Sequence, residues 1–158
     1  MTLIKKVALT VVLLNIIVFG IIVLVYRDNI YLFYNGVSME NNFNKPFLAI
    51  GYPIISVFLY YLLSNTPVYM FSNSKMIWAF KGTIAATDNE KNRKIIQKRG
   101  KELFEQLNVL VQIIILLANF RVLFQCDFSV FFAYVFIGLV MLVIFRTVYL
   151  IHKETMFS

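Results

Sequence analysis

Cysteine, histidine and acid are what this chain has least of. Its 158 residues contain one cysteine, Cys126, one histidine, His152, and eight Asp and Glu against fifteen Lys and Arg. A lone cysteine excludes an intramolecular disulfide. One thiol and one imidazole, expected on opposite sides of a membrane, do not build a metal site. No nucleotide-binding glycine loop, HExxH helix or GxSxG turn occurs. The acids Asp28 and Glu40 stand singly, so paired-carboxylate chemistry has no basis. An enzyme is therefore not expected, nor is a cofactor or a metal. No internal repeat of the transporter kind is present either.

Helix breakers are also few, with three prolines and six glycines. What fills the chain instead is apolar: 60% of residues are hydrophobic. A soluble domain of this size has too little interior to bury that much apolar surface. The apolar residues fall in four runs, at about 7–26, 47–64, 103–124 and 128–150. Twenty helical residues rise roughly 30 Å, the thickness of the hydrocarbon layer. The expected fold is thus all-α, a polytopic bundle of four membrane helices forming a single domain over residues 1–158.

Each run has its own character. Lys5 and Lys6 before the first resemble the start of a signal peptide, but Val-Leu-Val-Tyr-Arg at its end offers no small-residue cleavage site, which favours a retained anchor. The second contains Gly51 and Pro53, where a kink is expected, and Thr66 and Pro67 are read as its exit. The third carries Glu105, Gln106, Asn108, Gln112, Asn119 and Arg121. On a helical period Asn108, Gln112 and Asn119 lie within about 60° of one another. That face is expected to look inward and make polar contacts between helices. The alternative, a polar path for an ion, would want an acid or histidine at mid-span, and none is there. The fourth run holds one charge, Arg146, close enough to its end to snorkel.

Charge sets the orientation. Between Ser64 and Lys101 lie Lys75, Lys81, Lys91, Arg93, Lys94, Lys98, Arg99 and Lys101, whereas the segment from 27 to 46 has only Arg27 and Lys45. The positive-inside rule puts both termini and a basic loop, 65–102, in the cytoplasm. The cluster Lys91, Arg93, Lys94, Lys98, Arg99 and Lys101 is expected to sit on anionic headgroups. Nucleic acid is not an expected partner, because no aromatic residues interleave the run. Val68–Phe80 mixes apolar and polar residues and is too short to span, which fits an interfacial segment with Trp78 at headgroup depth. From Glu90 a helix is expected to start and run into the third span, although Gly100 weakens it.

The stretch Asp28-Asn-Ile-Tyr-Leu-Phe-Tyr-Asn-Gly36, followed by Met39-Glu-Asn-Asn-Phe-Asn-Lys45-Pro-Phe-Leu-Ala-Ile-Gly-Tyr-Pro53, carries a family pattern. Ile30, the Tyr34-Asn35 pair, Gly36, Lys45 and Pro53 stand where the SdpI-type immunity family has its outer-loop and second-helix motif. The chain resembles that family over about its first 65 residues. It departs from the pattern at Tyr31, Phe33 and Asn44, which replace the family's Pro, His and Ser, and larger members have more spans. The resemblance implies a bacterial cytoplasmic-membrane protein that protects its host from a secreted toxic peptide. The outward loop would be the contact surface, with Tyr31, Phe33, Tyr34 and Phe43 supplying aromatic area and Asn35 adaptable hydrogen bonds. The same aromatics also fit an ordinary interfacial belt.

The function read from the sequence is that of a non-catalytic immunity-type protein. Its partners would be membrane lipids together with a toxic peptide or another membrane protein, and self-association is left open. Two other readings stand beside it. One is an accessory subunit of a larger transport or export complex, docked through the amide face of the third span. The other is a holin-like pore former.

Overall fold

The computed structural model describes residues 2–26, 51–72, 90–124 and 130–156. All but the two residues flanking the first helix are α-helical, and no strand occurs among the described residues. The four helices are α1 (Leu3–Val25), α2 (Gly51–Ser72), α3 (Glu90–Phe124) and α4 (Val130–Met156). Three of them, α1, α3 and α4, are long and apolar enough to cross a membrane.

Contacts between residues fix the helix directions. Thr2 meets Glu105 and Tyr26 meets Leu123, so α1 and α3 run parallel. Ser56 meets Gln112 while Ser64 meets Asn108, so α2 runs against α3. Arg99 meets Glu154, and five residues join the other end of α3 at Phe124 to the start of α4 at Val130, so α4 also runs against α3. The order is up, down, up, down, with Thr2, Ser64, Arg99 and Glu154 at one end of the bundle and Tyr26, Gly51, Phe124 and Val130 at the other.

α1 starts at Thr2, whose hydroxyl accepts from the Lys5 amide at 3.3 Å and satisfies one of the free N–H groups of the first turn. It then presents Ala8, Val12, Asn15, Val18 and Ile22 to the interior at helical spacing, and leaves Leu9, Leu13, Leu14, Ile16, Ile17 and Ile21 outside. α3 buries Glu105, Asn108, Gln112, Ile115, Asn119 and Val122 along one stripe. The pattern inverts that of a soluble bundle, with amides inside and aliphatic side chains outside. This is the arrangement a hydrocarbon solvent selects, since lipid satisfies the apolar faces and leaves polar groups to find one another.

Two sequence expectations about α2 are corrected by its extent. Pro53, where a kink was expected, is the third residue of the helix. There its missing N–H belongs to the first turn and interrupts no bond. Pro67, expected to mark the exit, lies inside the helix, which continues to Ser72. The lost backbone bond therefore falls opposite the Leu63 carbonyl. Just before it, Asn65 Nδ2 and Thr66 Oγ1 donate to the carbonyls of Tyr61 at 2.9 Å and Leu62 at 2.6 Å. Both are side-chain back-bonds within the turn before the proline, and neither goes to the Leu63 carbonyl itself. Residues 65–72 are accordingly helical rather than loop, residues 90–102 belong to the helix expected from Glu90, and of the segment expected at the interface, Val68–Ser72 belongs to α2. The rest of that segment, with Trp78, lies outside the described residues.

α3 is a continuous helix of 35 residues. At 1.5 Å per residue it reaches roughly 52 Å, well beyond the hydrocarbon thickness. Its first three turns, with Gly100 built in, project past the N-terminal end of the apolar run. α4 is the outlier in packing: among its described side chains only Thr147, Ile151 and Thr155, one per turn, are buried.

Candidate functional site: a polar chain through the bundle

The interior of α1, α2 and α3 holds a continuous chain of neutral hydrogen bonds. Asn119 Nδ2 donates to Asn15 Oδ1 at 3.0 Å, and Asn15 Nδ2 donates to Ser56 Oγ at 3.4 Å. The Ser56 hydroxyl donates to Gln112 Oε1 at 2.5 Å. Gln112 Nε2 donates to Asn108 Oδ1 at 3.4 Å, and Asn108 Nδ2 donates to Ser64 Oγ at 3.1 Å. Every donor points the same way, from the Asn119 end toward the Ser64 end. Asn15, Ser56, Gln112 and Asn119 are wholly buried and Asn108 nearly so.

Backbone carbonyls pin this direction. Asn15 Nδ2 also donates to the Gln112 carbonyl at 3.2 Å, Gln112 Nε2 to the Ser56 carbonyl at 3.0 Å, and Asn108 Nδ2 to the Tyr60 carbonyl at 3.3 Å. Reversing any of the three amides would set its oxygen against a carbonyl oxygen, so the orientation is not a free choice. Each amide thus ties two or three helices together at once. Aligned bonds of this kind polarise one another in a medium of low dielectric.

Of the residues singled out from the sequence, Asn108, Gln112 and Asn119 are brought together on the buried face of α3. The residues they meet carried weaker signals. Asn15 was visible as the one amide in an apolar run, whereas Ser56 and Ser64 look like any membrane-helix serine until the partner amides are known. At the inner end Glu105 is buried, accepts from Thr2 Oγ1 at 2.7 Å and faces Lys5 Nζ at 3.9 Å. Burying a carboxylate is costly unless a partner of this kind meets it.

The basic cluster is divided. Lys94 pairs with Glu90 at 2.8 Å across one helical turn. Arg99 turns away from the headgroups: Nε donates to Glu154 Oε2 at 3.1 Å, Nη2 to Glu154 Oε1, and Nη1 to Glu102 at 2.5 Å. This two-pronged grip holds α4 to α3. Ile96 and Ile151, each almost fully buried, lie three residues from its two ends. Lys91, Arg93, Lys98 and Lys101 are exposed. The outer-loop residues Tyr31, Phe33, Tyr34, Asn35 and Phe43 lie outside the described residues, as does Cys126.

Chemically, the polar chain is a structural device. Its members are amides and hydroxyls, none of which gains or loses a proton near neutral pH. An amide N–H cannot hand its proton along without passing through an imidic acid. Among the described residues no three His, Cys, Asp or Glu side chains group closely enough to hold a metal. No family model, curated protein or solved structure matches the chain.

Proposed function

We propose that the chain is a multi-pass protein of a bacterial cytoplasmic membrane that binds rather than catalyses, and that it protects its host against a secreted toxic peptide. In this reading α2 is the fourth span and both termini face the cytoplasm. The observation that carries it is the filled interior. The groups from Asn119 to Ser64 are spent on holding three helices together, which leaves the surface to act.

The surface with the richest recognition chemistry is the segment between α1 and α2, at the end of the bundle opposite the basic cluster. Its Tyr31, Phe33, Tyr34 and Phe43 offer rigid aromatic area, and Asn35 an amide that pairs with peptide backbone. The resemblance of this segment to the SdpI-type immunity family supports the same assignment. Lys91, Lys98 and Lys101 on the cytoplasmic extension of α3 would rest on anionic lipid.

The test is survival of a sensitive bacterium expressing the protein when challenged with peptides secreted by its native host. The triple variant Tyr31→Ala, Phe33→Ala, Tyr34→Ala is compared at equal membrane abundance. Protection by the wild type and its loss in the variant are expected. Failure of the wild type to protect overturns the immunity reading.

A second reading, an accessory subunit of a larger membrane complex, is favoured by α4. Phe131, Tyr134 and Phe145 are each about two-thirds exposed on a helix that packs mainly against α3. Copurification of a stoichiometric membrane partner, lost when these three residues become alanine, would establish it.

A further inference from the structure

The hydrogen-bonded chain has a head with nothing on it. Asn119 Oδ1 is buried and, among the described residues, accepts no hydrogen bond. In a bundle of neutral groups an unmet acceptor costs about 1–3 kcal/mol. Rotating the amide does not relieve it, because the oxygen would then face Asn15 Oδ1, and Asn15 is itself held by the Gln112 carbonyl.

We propose that a single water molecule occupies this point, donating one hydrogen to Asn119 Oδ1 and the other to Asn15 Oδ1. The geometry allows the bridge. The bond from Asn119 Nδ2 to Asn15 Oδ1 is 3.0 Å. Nitrogen and oxygen of one amide lie about 2.3 Å apart, so the two oxygens are separated by no more than about 5.3 Å. A water at about 2.8 Å from each spans that distance. Asn15 Oδ1 receives one hydrogen from Asn119 and has a second lone pair to offer. Buried waters typically serve groups of this kind.

The chemistry selects water over an ion. Two neutral amide oxygens are far fewer than the six or more oxygen ligands a hard cation gathers, and no acid lies on this part of the chain to balance its charge. One turn outward, Val18, Ile22 and Val122 form a dry apolar cluster with Tyr52 packed against it. Inward, Ser56 and Gln112 are fully engaged. The water is therefore enclosed between an apolar lid and a closed polar chain, and it completes the chain of aligned donors by supplying the first of them.

Water-edited solid-state NMR on the full chain in lipid bilayers, with asparagine, glutamine and isoleucine carbons labelled, tests this. Polarisation from water is expected to reach the Asn119 side-chain carbonyl carbon several times faster than the Gln112 carbonyl carbon and the Ile115 side chain. The fast component should disappear in Asn119→Leu. The wild-type comparison stands even if that variant folds poorly. Build-up at Asn119 as slow as at Ile115 overturns the proposal. Equally fast build-up at Asn119, Gln112 and Asn108 overturns it too, since that is the signature of a hydrated path.

Discussion

Asn119 of α3 donates a 3.0 Å hydrogen bond to Asn15 of α1 across 104 residues of sequence, and the bond lies fully inside the bundle. It joins the parallel pair at the middle of α1 and near the C-terminal end of α3, while Gln112 and Ser56 join both to α2. The helices are thus held by amides at several depths, with aliphatic contacts such as Val18, Ile22 and Val122 between them.

The first prediction concerns the centre of this chain. Gln112→Leu strands the Ser56 hydroxyl, the Ser56 carbonyl and Asn108 Oδ1 together. A membrane interhelical bond contributes about 0.6–1.7 kcal/mol, and several partners are lost here, so destabilisation of about 2–3 kcal/mol is expected. Unfolding by SDS titration from mixed micelles measures it. Ser56→Ala, which removes a smaller group, should cost less, and a double variant should cost clearly less than the sum of the two. Additive costs would contradict the coupling.

A second prediction follows from the Arg99 grip. α4 buries little beyond Thr147, Ile151 and Thr155, so its attachment depends on few contacts. Arg99→Glu sets three carboxylates together and should loosen α4. The exchange Arg99→Glu with Glu154→Arg restores one pair and should recover part of the loss. All three side chains of this arrangement are partly exposed, so the effect is about 1 kcal/mol and shrinks with added salt. Thermal unfolding in detergent at low and high ionic strength reads it. An unchanged melting temperature in Arg99→Glu at low salt would show that the grip carries no weight.

How much of this could be read from the residues is uneven. The apolar runs marked the helices because hydrocarbon admits little else, and the start of α3 at Glu90 was visible in its shift to charged helical periodicity. The inward face of Asn108, Gln112 and Asn119 followed from angular spacing alone. Their partners did not, because pairing depends on how far one helix slides along another, and no local signal encodes that register. Ser56 meets Gln112 rather than Asn119 for that reason. Proline was read by its type when its position mattered: Pro53 sits in a first turn and Pro67 inside the helix. Arg99 counted as one basic residue among six until α4 brought Glu154 beside it.

The third prediction concerns the inner end of α1. The Thr2 hydroxyl accepts from the Lys5 amide and donates to Glu105, so one oxygen both starts a helix and satisfies a buried carboxylate. Thr2→Val removes both roles at nearly constant volume. Loss of the cap costs about 1 kcal/mol, and the unmet carboxylate adds about 1–3 kcal/mol. Thr2→Ser should retain most of the stability. If the valine and serine variants unfold alike, the hydroxyl is not what holds this end.

The last prediction tests the arrangement of the chain in the membrane. α1, α3 and α4 are each long and apolar enough to cross, and the alternating helix directions bring Thr2, Ser64, Arg99 and Glu154 to one end. If α2 crosses as well, residues 27–50 and 125–129 share the opposite side, and the positive-inside rule predicts that this side is the outer one. In a Cys126→Ser background, a cysteine at Ser38 should react with a membrane-impermeant maleimide on intact cells. Cysteines at Lys81 and Ser158 should react only after the membrane is opened. Were α2 to lie along the surface, α1 would need to cross alone before α3, and its parallel partnership with α3 through Asn15 and Asn119 would require the chain to return through the bilayer by another route. Only residues 27–89 connect the two, and α2 is the described helix in that interval which meets both of them. Labelling of both Ser38→Cys and Lys81→Cys on intact cells would therefore contradict the parallel pair, whereas labelling of Lys81→Cys without Ser38→Cys would overturn the orientation.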